Sequence, residues 1–178
     1  DYKIDMMRKK LLYFLFSVIF LSCNSSLRQI DVSSTSSKVD TLIEKQGLVK
    51  RANDYYENNM YLEAKLSYDT LISIDSSIGE YFFKRGYCKT MLSTDNTEAI
   101  KDYLKAIEYN YNKKEKAYLN IGSLHRGNAI FHSETDSVRI VEYNKALYFY
   151  NEALKIDSNY VRALNEKKEV TENLKELN

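Results

Sequence analysis

Two histidines, an interior cysteine and sixteen tyrosines are the residues of this 178-residue chain with most chemistry to offer. His125 and His132 stand seven residues apart, a spacing that sets both on one face of a helix. Zinc takes three or four protein ligands, so this pair alone makes no site. Glu134 and Asp136 would complete one only if the turn after His132 folded back. No metal site is expected. Cys88 has no histidine near it in sequence to draw off its proton, so it reads as a packed, inert thiol. Gly79, Gly86, Gly122 and Gly127 are too scattered to form a loop that cradles phosphate. With no catalytic group and no cofactor expected, the chain does not read as an enzyme.

Charge removes another class of partner. The chain carries 26 basic and 25 acidic residues. Without residues 1–22, which hold four of the basic and two of the acidic ones, the balance is 22 against 23. Phosphate binding demands a basic footprint that such a domain lacks, so nucleic acid is not expected as a partner.

The tyrosines point to architecture instead of chemistry. Tyr68, Tyr103 and Tyr150 each follow an alanine by four residues: Ala64, Ala99 and Ala146. Each is followed by Leu71, Ala106 or Ala153, and then by Asp75, Asn110 or Asp157. A small residue (Ala52, Gly86, Gly122) precedes each group. Ala52 to Gly86 spans 34 residues, and Ala64 to Ala99 spans 35. Small residues let two helices approach closely, and the aromatic fills the seam. A single helix pair cannot bury its apolar face alone, so the copies must stack into a continuous core.

This register resembles the tetratricopeptide repeat (TPR), a 34-residue helix–turn–helix. With Ala64 at position 20, Leu48, Ala52, Tyr55, Tyr61, Ala64 and Tyr68 match the family pattern in a first unit over about 45–78. Phe82, Gly86, Ala99, Tyr103 and Ala106 match in a second unit over 79–112. Tyr118, Gly122, Tyr143, Ala146, Tyr150 and Ala153 match in a third over 115–160. The resemblance implies an all-α helical-hairpin solenoid of about three repeats. The apolar spacing after Tyr160 adds a C-terminal capping helix at 161–177, with Leu174 and Leu177 at its end. Two departures stand out. The chain has no proline, so Asp75-Ser76-Ser77 and Asp157-Ser158-Asn159 must stop the helices by side-chain capping. Leu71 occupies a position that is small in the family, which predicts a looser first unit.

The third unit is about a dozen residues too long. Gly122 and Ala146 are 24 apart where the family has 12. The simplest reading lengthens both helices into a projecting hairpin around 127–136, with the first ending near His132. The second would start near Ser137 with Asp136 as its N-cap. Gly127, Ser133, Glu134 and Thr135 mark the turn, and Ala129, Ile130, Val138 and Val141 would supply the extension's own apolar seam.

The N-terminal residues read as an address. Arg8-Lys9-Lys10 precede an apolar run from Leu11 to Leu21, then Ser22 and Cys23. That order makes residues 1–22 upstream residues and a signal peptide, with a run too short to span a bilayer. Phe20-Leu21-Ser22-Cys23 is similar to a bacterial lipobox, which implies lipidation of Cys23. With Cys23 acylated, Cys88 has no partner for a disulfide. Residues 23–41, dominated by Ser and Thr, would then be a flexible tether. The folded domain is expected at 42–178. Asn24 after the cysteine, in place of the Asp that retains enterobacterial lipoproteins in the inner membrane, points to the outer membrane, facing the periplasm.

In tetratricopeptide arrays, positions 2, 5, 9, 12 and 13 of each first helix line a concave groove. By that register the groove would draw on Val49, Asn53 and Tyr56 from the first unit. Phe83, Tyr87 and Met91 would come from the second, and Leu119 and Arg126 from the third. Phe83, Tyr87, Met91 and Leu119 would form an apolar middle, with Asn53, Tyr56 and Arg126 as polar handles. Such a surface suits an extended or helical peptide. Asn53 matches one residue of the clamp with which some family members grip a C-terminal carboxylate. Val49 stands where the clamp's basic partner would be, so that ligand is not expected. Two functions fit: a lipid-anchored interaction module, as scaffold or accessory subunit of a bacterial envelope complex, or a lipoprotein capturing a peptide or glycan for a transporter.

Overall fold

The computed structural model describes residues 32–92 and 96–177, with side chains from Thr41 onward. Among the described residues there are seven helices and no strand. They are α1 (Val32–Glu57), α2 (Tyr61–Ile74), α3 (Gly79–Leu92), α4 (Asn96–Glu108), α5 (Lys114–Phe131), α6 (Asp136–Ile156) and α7 (Val161–Glu176). The chain divides into two compact units at the Glu44–Lys45 boundary, and the repeats all lie in the second. There each helix from α2 on packs against the next in the chain, and α7 also touches α5. The architecture is an all-α helical-repeat solenoid.

The repeat register explains the packing. Ala52, Ala64, Ala99, Ala106, Ala146 and Ala153 are fully buried, as are Tyr68, Tyr103 and Tyr150. Alanine at these seams keeps the helix axes close, and each tyrosine ring fills the gap so created. Gly122 has no room for a side chain, since a Cβ there would sit 2.5 Å from the Tyr150 ring. Leu71 is also fully buried, so the bulkier residue of the first unit is taken into the core.

Without proline, four of the helices stop in two ways. Asp75 Oδ1 accepts from Ser77 N at 3.1 Å, and Asp157 Oδ1 from Asn159 N at 3.0 Å, closing Asx turns. Asn59 and Asn110 instead adopt left-handed backbone, with φ of 59° and 54°. Met60 N then reaches Tyr55 O, and Tyr111 N reaches Ala106 O, each at 2.9 Å. This is the Schellman closure, with asparagine in glycine's usual place.

Four expectations need correction. Residues 32–41, read as part of a flexible tether, are helical backbone continuous with α1. Ser and Thr have low helix propensity but do not break a helix, and residues 32–41 contain neither Pro nor Gly. Elongating an anchored helix avoids the cost of a new nucleus. In the third unit both helices are lengthened, but the N-cap of α6 is Thr135, not Asp136, accepting from Val138 N at 3.3 Å. Gly127 lies inside α5, not in the turn. Of the expected seam only Ala129 is buried, in a cluster with Tyr143 and Val170. Ile130, Val138 and Val141 are exposed.

Candidate functional site

The first helices of the repeats are α1, α3 and α5, and α7 follows them in the chain. The buried tyrosines of the second helices link these first helices through their hydroxyls. Tyr68 OH donates to Asn53 Oδ1 at 2.8 Å, and Lys84 Nζ donates to the same oxygen at 2.8 Å. One repeat on, the Tyr103 hydroxyl lies 3.2 Å from Thr90 Oγ1 and also bonds the Asn120 side chain. In the third, Tyr150 OH and Ser123 Oγ both donate to Glu166 Oε2, each at 2.8 Å. Lys84, Asn120 and Glu166 are thus equivalent rungs, six or seven residues into α3, α5 and α7. The sequence reading missed them because it followed the family's groove positions only. Burial pushes the Tyr68, Tyr103 and Tyr150 hydroxyls far above the ordinary phenol range, so they stay protonated donors.

The expected groove residues separate into two groups. Asn53 and Tyr56 on α1 and Tyr87 on α3 are half-buried, Val49 likewise, and Met91 is exposed. The Tyr56 and Tyr87 rings lie 5.4 Å apart, Tyr61 stands 6.0 Å from Tyr87, and Lys84 Nζ hangs 5.6 Å over Tyr56. These residues form one aromatic surface with Asn53 and Lys84 beside it, and Lys84 Nζ also pairs with Glu80 at 2.8 Å. Phe83 and Leu119, by contrast, belong to the core. The Phe83 ring stacks on Tyr111 at 4.5 Å and also meets Tyr103, and it is buried. Leu119 is buried in the cluster that holds Tyr150, Ala163 and Val170, which α7 covers. Of the apolar and aromatic residues expected in the groove, Val49, Tyr56 and Tyr87 stay half-buried and Met91 exposed.

Arg126 has a different role from the one expected. Its Nη1 pairs with Glu169 at 2.6 Å, and its Nε lies 3.4 Å from Glu166 Oε2. Nε is buried and makes no hydrogen bond, so the guanidinium is held by charge more than by aligned bonding. Burial pushes the Glu166 carboxyl up, but hydrogen bonds from Tyr150 and Ser123 and the Arg126 charge outweigh it and leave it below the ordinary value. Arg126 fastens α7 to α5.

Other titratable groups are likewise engaged in structure. Arg85 Nε donates to Asp102 Oδ2 at 2.8 Å and its Nη1 to Asp69 Oδ1 at 2.9 Å, while Lys89 Nζ reaches Asp102 at 2.8 Å. This network ties α2, α3 and α4 together around a buried carboxylate. His125 Nδ1 lies 2.7 Å from Glu142 Oε2, and its ring stacks on Phe149 at 5.5 Å. Among the described residues no group of three or more His, Cys, Asp or Glu could hold a metal ion. The Cys88 thiol is fully buried, and burial pushes its pKa up to about 12. Cys23 and the Leu11–Leu21 run lie outside the described residues.

Solved structures share this arrangement. The TPR domain of P58(IPK) superimposes with a TM-score of 0.63 at 19% identity, covering 84% of this chain and 38% of that one. The fold is tetratricopeptide-repeat-like. The MamA protein gives a TM-score of 0.61 at 19% identity, over 75% of this chain and 67% of that one. The Arabidopsis OM64 TPR domain gives 0.59 at 20% identity, over 71% of this chain and 93% of its own length. No family model and no curated protein matches the sequence. At these identities the likeness is one of fold.

Proposed function

We propose that this chain is a protein-interaction module that takes a peptide segment of a partner on its concave face. The observation that carries this reading is the half-buried aromatic pair Tyr56 and Tyr87, with the exposed Met91 one turn on in the same helix as Tyr87 and the internally bonded Asn53 and Lys84 beside the rings. Aromatic rings supply contact area at low entropic cost, and the neighbouring amide and ammonium suit a peptide backbone. Solved structures of this fold include the first TPR of Spaghetti (RPAP3) bound to an HSP90 peptide, which supports a peptide ligand here. Asn53 Oδ1 already accepts from Tyr68 and Lys84, so its amide nitrogen is the group left to meet a ligand carbonyl.

The module acts at a bacterial envelope membrane, as scaffold or accessory subunit of a complex. It is held there by lipid on Cys23, at the outer membrane and facing the periplasm. The support is the order of Arg8-Lys9-Lys10, the Leu11–Leu21 run and Ser22-Cys23. Among the described residues no helix is long and apolar enough to cross a membrane.

Capture from detergent-solubilised envelope extract tests the module. A stoichiometric protein is expected on the wild type and lost on Met91→Glu, which leaves the core intact. Retention of a small ligand with no protein would refute the reading. Cys23→Ser should move the protein to the soluble fraction, and mass spectrometry that finds an unmodified residue near Asn24 at the native N-terminus would sink the anchor.

A further inference from the structure

The lengthened third repeat carries a surface that the concave groove does not use. Phe131, at the end of α5, is 77% exposed, and Ile130, Val138 and Val141 are exposed beside the same turn. Large apolar side chains grouped at the tip of an insertion mark contact surfaces. The last turns of α7 lie alongside and close a cleft of about 230 Å³. Ile130, Arg139, Tyr143, Asn173, Glu176 and Leu177 line it.

The polar groups of this cleft are unevenly satisfied. Arg139 is neutralised by Asp136 at 2.8 Å, and Asn173 Nδ2 donates to the Tyr143 hydroxyl at 3.3 Å. Glu176, by contrast, has no ion-pair partner among the described residues, and neither has Glu134 in the adjoining turn. Glu172, one turn before Glu176, meets its nearest lysine only at 4.0 Å. An apolar wall next to uncompensated carboxylates complements one kind of side chain, with an aliphatic stem and a cationic head.

We propose that the tip of the α5–α6 hairpin and the end of α7 form a second docking surface for a basic, amphipathic segment of a partner protein. A Lys or Arg of that segment enters the cleft, its stem on Ile130 and Leu177 and its charge at Glu176. Its apolar face lies on Ile130 and Phe131. The same carboxylates disfavour the other occupants: a second copy would bring like charges together, and anionic lipid headgroups would be repelled.

The test uses the intact protein and a fluorescein-labelled synthetic helix of leucine and lysine in an amphipathic pattern. The control peptide has glutamate at every lysine position. Fluorescence anisotropy should show saturable binding of the lysine peptide that weakens with salt, and none of the control. Glu176→Lys and Phe131→Ser, both at exposed positions, should each weaken it about tenfold, roughly 1.4 kcal/mol. Met91→Ala in the groove should leave it unchanged. Equal binding of the glutamate peptide would overturn the proposal. So would loss of binding in Met91→Ala with none in Glu176→Lys, which places the peptide in the groove. Sedimentation that finds a dimer dissolved by Phe131→Ser would assign the patch to a second copy instead.

Discussion

Two glycines of α5 allow the same substitution to be made in the same helix with opposite expected signs. A Cβ at Gly122 would lie 2.5, 2.7 and 3.1 Å from three atoms of the Tyr150 ring. That ring is fully buried and pinned at its far end, where its hydroxyl donates to Glu166 at 2.8 Å. It cannot swing away, so helix α6 must move or the ring must leave its rotamer. Overpacking of this kind costs about 1–3 kcal/mol. A Cβ at Gly127, five residues on, meets nothing within 4 Å. Both positions are helical, so Gly→Ala brings the same propensity gain of about 1 kcal/mol to each. Gly127→Ala should therefore be stabilised by that amount. Gly122→Ala should come out between neutral and about 2 kcal/mol destabilised, and the difference between the two variants isolates the steric cost. Urea denaturation followed by circular dichroism measures both. If Gly122→Ala is as stable as Gly127→Ala, the close approach of α5 to Tyr150 is wrong, and with it the register of the third repeat.

Other substitutions separate core from surface. Phe83→Ala should cost about 3–5 kcal/mol, because the ring is sandwiched in the core, whereas Met91→Ala should leave the urea midpoint unchanged. Similar behaviour of the two would return Phe83 to the groove. The Glu166 carboxyl is held below its ordinary 4.5 in the fold, so its stabilising effect is complete above that value and is lost as pH falls through the folded pKa. Glu166→Gln should lower stability at neutral pH and flatten its pH dependence as pH falls from the ordinary 4.5 through the lowered folded pKa. An unchanged acid limb would show that Glu166 does not hold α7.

The repeat register was legible because it is written in residues that permit no alternative. A seam that takes alanine or glycine on one helix and an aromatic ring on the other recurs after 34 or 35 residues in the second unit, and its Ala and Tyr recur after 47 in the lengthened third. Any slip would put Tyr68, Tyr103 and Tyr150 in solvent and leave the alanine seams empty. The lengthened third hairpin followed from the same arithmetic, since an insertion free of proline extends the helices that flank it without the cost of a new nucleus. Helix ends were less legible, because Thr135 and Asp136 are both good caps and the choice depends on local backbone angles.

Which groove positions stay accessible was decided only in three dimensions. Phe83 and Tyr87 are one helical turn apart and chemically alike, yet only Phe83 is sealed, by Tyr111 arriving 28 residues later in the chain. Leu119 and Arg126 are claimed by α7, whose Glu169 reaches Arg126 across 43 residues. A helical stripe defines a direction, but burial at its edge depends on what the neighbouring element brings there. Periodicity sets the direction, and long-range contacts set the edge.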